Sequence, residues 1–167
     1  MPESKAQEHG GWDHEARAVA IEDWKALTDL VHEFAYRVDF GPTETIADLF
    51  VADGWYGWGE TRSIGREAIS EAYRQRAARG LRTARHLCTN LRLVMLGSDR
   101  AQGQSIWLLF AEDGPPTHPA VPLLVADVND VYVRCAGRWL FESRQLTDVF
   151  VAPDRRPVLP LTSRGRE

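Results

Sequence analysis

The stretch RTARHLCTNLRL, Arg82 to Leu93, decides how the second half of this chain is read. Polar and apolar residues alternate through it, the period-two signature of a β-strand with two unlike faces. His86, Cys88, Asn90 and Arg92 fall on one face, and Leu87, Thr89, Leu91 and Leu93 on the other. A strand built for packing alone would carry Val or Ile at position 86, so the histidine calls for a neighbour. A bulge near Asn90 would reverse the parity beyond it, leaving only the residues nearest His86 securely placed.

Downstream, three more segments keep the same period: RAQGQSIWLLFAE (100–112), PLLVADVNDVYVRC (122–135) and RWLFESRQLTDVF (138–150). The short GSD and AG connections suit hairpins, and DGPPTHPAV (113–121) makes a longer one. Upstream, the period is near four. Ile21, Trp24, Leu27, Leu30, Val31, Phe34 and Val38 predict an amphipathic helix over about Ala18–Asp39, closed by Gly41 and Pro42. TETIADLF predicts a short second helix with Thr43 as N-cap and Ile46, Leu49 and Phe50 inward. GWYGWGETRSIG suits a short strand and turn, and GREAISEAYRQRAARG a third helix ended by Gly80.

Helices followed by a run of antiparallel strands predict an α+β fold, with the helices packed in a strongly curved antiparallel sheet that forms a cone around an internal pocket. The expected organisation is a flexible N-terminal arm over residues 1–15, a single domain over 16–152 and an extended Pro/Arg-rich tail over 153–167. At 167 residues with 44% hydrophobic content, the chain has material for one real core. A net charge of −4 argues against a nucleic-acid or anionic-membrane surface. The opening MPESKAQEHGG lacks the apolar core of a signal peptide and no run is long enough for a bilayer, so a cytoplasmic location is expected. Cys88 and Cys135 read as buried thiols without metal-type spacing.

The long predicted helix carries a second polar group. His32, Tyr36 and Asp39 share one helical face by their spacing. Asp39 comes at the last turn, where the helix dipole disfavours a carboxylate, so it requires a compensating donor. A histidine is one such donor. No phosphate-binding loop and no nucleophile elbow is present, since GWYGWG lacks the Lys and the helix start. No cofactor and no metal are expected, because nothing supplies a close pair of ligands beside His32, His86 and Asp39.

Five strings, in order, resemble the SnoaL-like branch of the nuclear transport factor 2-like superfamily: YRVD, ADLFVADGW, IGREAISEAY, RHLCTNLRL and NDVYVRCAGRWLFESRQL. That branch includes scytalone dehydratase, bile-acid dehydratases, a dehydrochlorinase and polyketide cyclases. The resemblance implies that Asp39 pairs with His86, and it matches Arg134 to an arginine used by the dehydrochlorinase. The helpers are not kept. Phe34 stands where several catalytic members are polar, and Val38 stands where scytalone dehydratase has a tyrosine, although Tyr36 lies one turn back.

The function so implied is cofactor-free acid–base catalysis on a small hydrophobic carbonyl or hydroxyl compound, up to polycyclic size. Dehydration or isomerisation leads, and aldol or epoxide-opening ring closure is the alternative. A non-catalytic ligand-binding or dioxygenase-β-subunit-like module is the reading from another class. Asp39 would orient His86 as the base, with Tyr36 as a proton donor. Trp24, His32, Phe34, Trp55, Trp58, Asn90, Trp107, Phe110 and Arg134 would bind substrate. Leu87, Leu91, Leu93 and Met95, in phase on the outer sheet face, predict a homodimer or homotrimer.

Overall fold

A computed structural model describes residues 19–153 and the backbone of 163–164. The proposed N-terminal arm and most of the C-terminal tail lie outside the described residues. The long apolar stripe folds as α1 (Ile21–Phe40), burying Leu27, Leu30, Val31 and Phe34. A 3-10 helix (Thr43–Leu49) follows, then strands β1 (Phe50–Trp58) and β2 (Thr61–Ile64), and helix α2 (Arg66–Ala77). Thr43 does not cap the short helix, because Pro42 takes that position and no side chain bonds there. Strands β3 (Arg82–Met95), β4 (Arg100–Asp113), β5 (Leu124–Cys135) and β6 (Arg138–Val151) then run as successive antiparallel neighbours. A two-residue strand β7 (Ser163–Arg164) pairs with β2.

The seven strands form one open, curved sheet in the order β3-β4-β5-β6-β1-β2-β7. It is mixed rather than wholly antiparallel, because β1 runs parallel to β6. Hairpin turns announce only strands adjacent in sequence, and β1 reaches β6 across most of the chain, so no local turn signals its direction. Phe34 sits at the centre of the core, its ring within 5.8–6.4 Å of the rings of Tyr56, Phe141, Trp107, Phe50 and Tyr73. Aromatic pairs at such separations add about 0.5–1.5 kcal/mol beyond their burial. Among the described residues, no helix is long and apolar enough to cross a membrane.

One sequence expectation fails at a bulge in β3. The β3–β4 register slips between Thr89 and Arg92, and Asn90 takes a positive φ of 54°. This bulge inverts the parity of β3. Beyond it Leu91, Leu93 and Met95 pack against the core, so the continuous apolar outer face does not form. Of that quartet only Leu87 is exposed, at 47%. Both cysteines are free, but Cys135 is exposed at the end of β5 rather than buried.

Gly103 on β4 lies beneath Tyr132, where an added Cβ would stand 2.5 Å from the phenolic oxygen, whereas Gly97 has open space around it. Gly103→Ala is expected to lower unfolding free energy by about 1–3 kcal/mol. Gly97→Ala should change it by less than about 0.5 kcal/mol. Urea midpoints of the two variants check this.

Candidate active site

The end of α1 supplies the first group. The helix stops at Gly41, whose φ of 74° ends the regular turn, and this leaves Asp39 in the last turn. Its carboxylate meets His86 of β3 twice. The backbone N–H of His86 donates to Oδ2 at 2.7 Å, and the ring Nδ1 lies 2.6 Å from Oδ1. A carboxylate oxygen accepts, so Nδ1–H is the donor, and in the neutral ring this leaves the lone pair on Nε2. The Asp39 and His86 side chains are 5% and 16% exposed. Hydrogen bonds to a charged group contribute about 1.5–3 kcal/mol each, enough to offset the helix-end position of the carboxylate. The Arg85 guanidinium, 4.3 Å over the Phe40 ring, closes the same junction from outside.

His86 borders a cavity of about 480 Å³ between α1, α2 and the inner sheet face, and an inner recess of about 40 Å³. The cavity wall is mainly apolar and aromatic, with Val38, Tyr56, Trp58, Tyr73 and Leu109 shared by both spaces. Strand register explains the grouping: Ala84, His86 and Cys88 lie opposite Ala111, Leu109 and Trp107. Tyr56 and Tyr73 share a hydrogen bond, and burial pushes both phenols well above the ordinary tyrosine range. They remain protonated donors.

The recess ends on a charge that the sequence reading missed. Arg144 of β6 is fully buried and pairs with Asp130 of β5 through Nε and Nη2, both at 2.9 Å. Tyr132 donates to the same carboxylate at 2.9 Å. Burial works against the Arg144 charge, and Asp130 overcomes it, so the guanidinium stays charged. Its Cζ lies 4.3–4.6 Å from the centroids of the Phe34, Phe141 and Trp107 rings. Nη1 has no hydrogen-bond partner among the described residues. A buried unpaired donor on a recess wall is suited to an incoming oxygen.

The structure therefore sorts the predicted site residues. Asp39 and His86 come together, and Phe34, Trp58 and Trp107 line the cavity or its recess. Tyr36 does not join them, being 58% exposed and packed on Phe40 outside. Trp24 and His32 are also on the exposed side of α1, so His32 adds no third ligand to the dyad. Asn90 is exposed at the bulge, and Phe110 alternates away from the inward Leu109 and Ala111. Trp55 lies under Arg62 instead of lining the cavity. Arg134 bonds Asp23 and covers Trp139 at 4.5 Å, beside a different hollow near the start of α1. One signal for Arg144 was available: Asp130 is in phase with Leu124, Ala126 and Val128 on an inward strand face, and a buried carboxylate requires a cation.

The SnoaL-like domain family matches residues 19–145, and the chain belongs to that family. Among solved structures, it is similar to a protein provisionally assigned as a scytalone dehydratase from Novosphingobium aromaticivorans. That pair is 19% identical with a TM-score of 0.71, covering 87% of this chain and 96% of the other. A Catenulispora acidiphila protein solved in complex with S-DNPA is 27% identical with a TM-score of 0.61, covering 75% and 92%. An NTF2-like protein with a cystatin-like fold, also from N. aromaticivorans, is 20% identical with a TM-score of 0.63, covering 80% and 86%. No curated protein matches the chain.

Removing the Asp130 carboxylate leaves a buried guanidinium uncompensated. Asp130→Ala is expected to cost about 3–5 kcal/mol. The joint Asp130→Leu/Arg144→Met variant should recover much of that loss. Denaturant titration of both against the parent checks the pairing.

Proposed function

We propose that the chain is a cofactor-free acid–base enzyme that eliminates water from, or isomerises, a hydrophobic carbonyl or hydroxyl compound. The observation that carries this reading is the Asp39–His86 pair on the wall of an apolar cavity of about 480 Å³. A relative of 27% identity solved in complex with S-DNPA supports a small-ligand reading.

In this mechanism Asp39 holds the Nδ1–H tautomer, and Nε2 removes a proton from the carbon beside a carbonyl. Negative charge moves to the carbonyl oxygen, which Arg144 Nη1 receives. The His86 imidazolium passes that proton on to the departing hydroxyl, which Tyr56 or Tyr73, rather than the outward Tyr36, holds by a hydrogen bond, and water leaves with His86 neutral again. Positioned acid–base chemistry supplies about 10²–10⁴-fold and one oxyanion donor about 10²–10³-fold. Their product suffices for a C–H bond already activated by a carbonyl. Ring closure would use the same base and the same oxyanion donor, and product mass separates the two, since elimination loses water.

A panel of bicyclic and tricyclic β-hydroxyketones, followed by the growth of enone absorbance, tests the proposal. His86→Gln should lower turnover by about 10²–10⁴-fold with the circular dichroism spectrum unchanged. Tyr36→Phe should have no effect. Turnover at the parent rate in both His86→Gln and Asp39→Asn would overturn the catalytic reading and leave a binding module.

A further inference from the structure

Two permanently charged side chains line the large cavity, and both are guanidiniums: Arg76 from the last turn of α2 and Arg82 from the start of β3. Among the described residues no carboxylate lines it. The two arginines meet outside the cavity on one oxygen, Asp113 Oδ1, at 3.4 and 2.9 Å. Their side chains are only 16% and 21% exposed, whereas Asp113 is 80% exposed. A carboxylate so well solvated is partly screened and offsets only part of the charge beside it. Partial burial lowers the Arg76 pKa, Arg82 pushes the same way, Asp113 opposes and Arg79 adds further repulsion. The C-terminal dipole of α2 accounts for a cation at position 76. It does not account for Arg82, which is on a strand, or for both side chains facing an apolar hollow.

We infer that this collar recognises an anionic group on the ligand, so that the substrate is an apolar body bearing a carboxylate or a kindred sulfate or phosphate. A guanidinium takes such a group bidentately, and the exposed Asp113 is a weak competitor for it. Arg82 and His86 are four residues apart on the same face of β3, about 13 Å along the strand. An anion held at the collar therefore places the reacting carbon of the same molecule at His86 only if the body between them is roughly 10 Å long. This inference rests on the cavity being the substrate site, as proposed above, and not on the identity of the reaction.

The test compares anilinonaphthalene sulfonate with its neutral counterpart phenylnaphthylamine, two fluorescent probes with the same apolar body. The parent should prefer the sulfonate, and 1 M salt should reduce that preference. Arg76→Gln and Arg82→Gln should each weaken sulfonate binding by about tenfold and leave the neutral probe unchanged. Asp113→Asn, a change at an exposed position, should strengthen sulfonate binding severalfold. Equal effects on the two probes, or no gain in Asp113→Asn, would overturn the collar. His86→Gln separates the two proposals: it should keep the sulfonate preference, and if it also keeps turnover, the catalytic reading alone falls.

Discussion

A carboxylate in the last turn of a helix sits in an unfavourable field, and this chain resolves that conflict with a single residue on a distant strand. Both donors of His86, the main-chain N–H and the ring Nδ1–H, converge on Asp39. The contact spans 47 residues of sequence. It seats the end of α1 against β3, and because the bond takes Nδ1, Nε2 is the ring nitrogen left over. The packing of α1 on β3 and the proposed chemistry both depend on this one short junction. Asp39 therefore has no conservative replacement: Asn can accept at one oxygen only and offers an amide where the second acceptor is required.

The cavity is polarised along its length. At the inner end Arg144 is held charged by Asp130 within a shell of aromatic rings. At the mouth stand Arg76 and Arg82. Between them lie His86 and two phenols that burial keeps protonated. Around the fully buried Arg144, among aromatic and aliphatic side chains, screening is weak, whereas the mouth is open to solvent and salt. A ligand with oxygen at both ends and a hydrophobic middle would be aligned before any bond changes.

Much of this fold was legible in the sequence, because periodicity is a local property. The apolar spacing of Ile21 to Val38 and the alternation from Arg82 onward identify α1 and the four long strands, and Gly41 marks the end of α1, while α2 ends at Ala77, three residues before Gly80. Asp39 and His86 were legible for a different reason: each is a polar residue whose element gives it no local use. The failures share a cause. Parity carries a reading along a strand only while the register holds. The bulge at Asn90 turns Leu91, Leu93 and Met95 inward, and the slip of β6 against Val131 and Tyr132 brings Phe141 and Arg144 to the same interior. Arg134 fits a string motif, but its position at the end of β5 commits it to Asp23. Tyr36 has the right helical spacing on the wrong side of α1. The phenols that line the cavity, Tyr56 and Tyr73, come from a strand and a helix that no local pattern brings together.

A single proton on one ring decides the role of His86, and nitrogen-15 NMR of its imidazole reads that proton directly. In the neutral ring Nδ1 should be protonated and Nε2 bare, with the pattern lost or reversed in Asp39→Asn. A protonated Nε2 in the parent, or a tautomer mixture unaffected by that substitution, would contradict it.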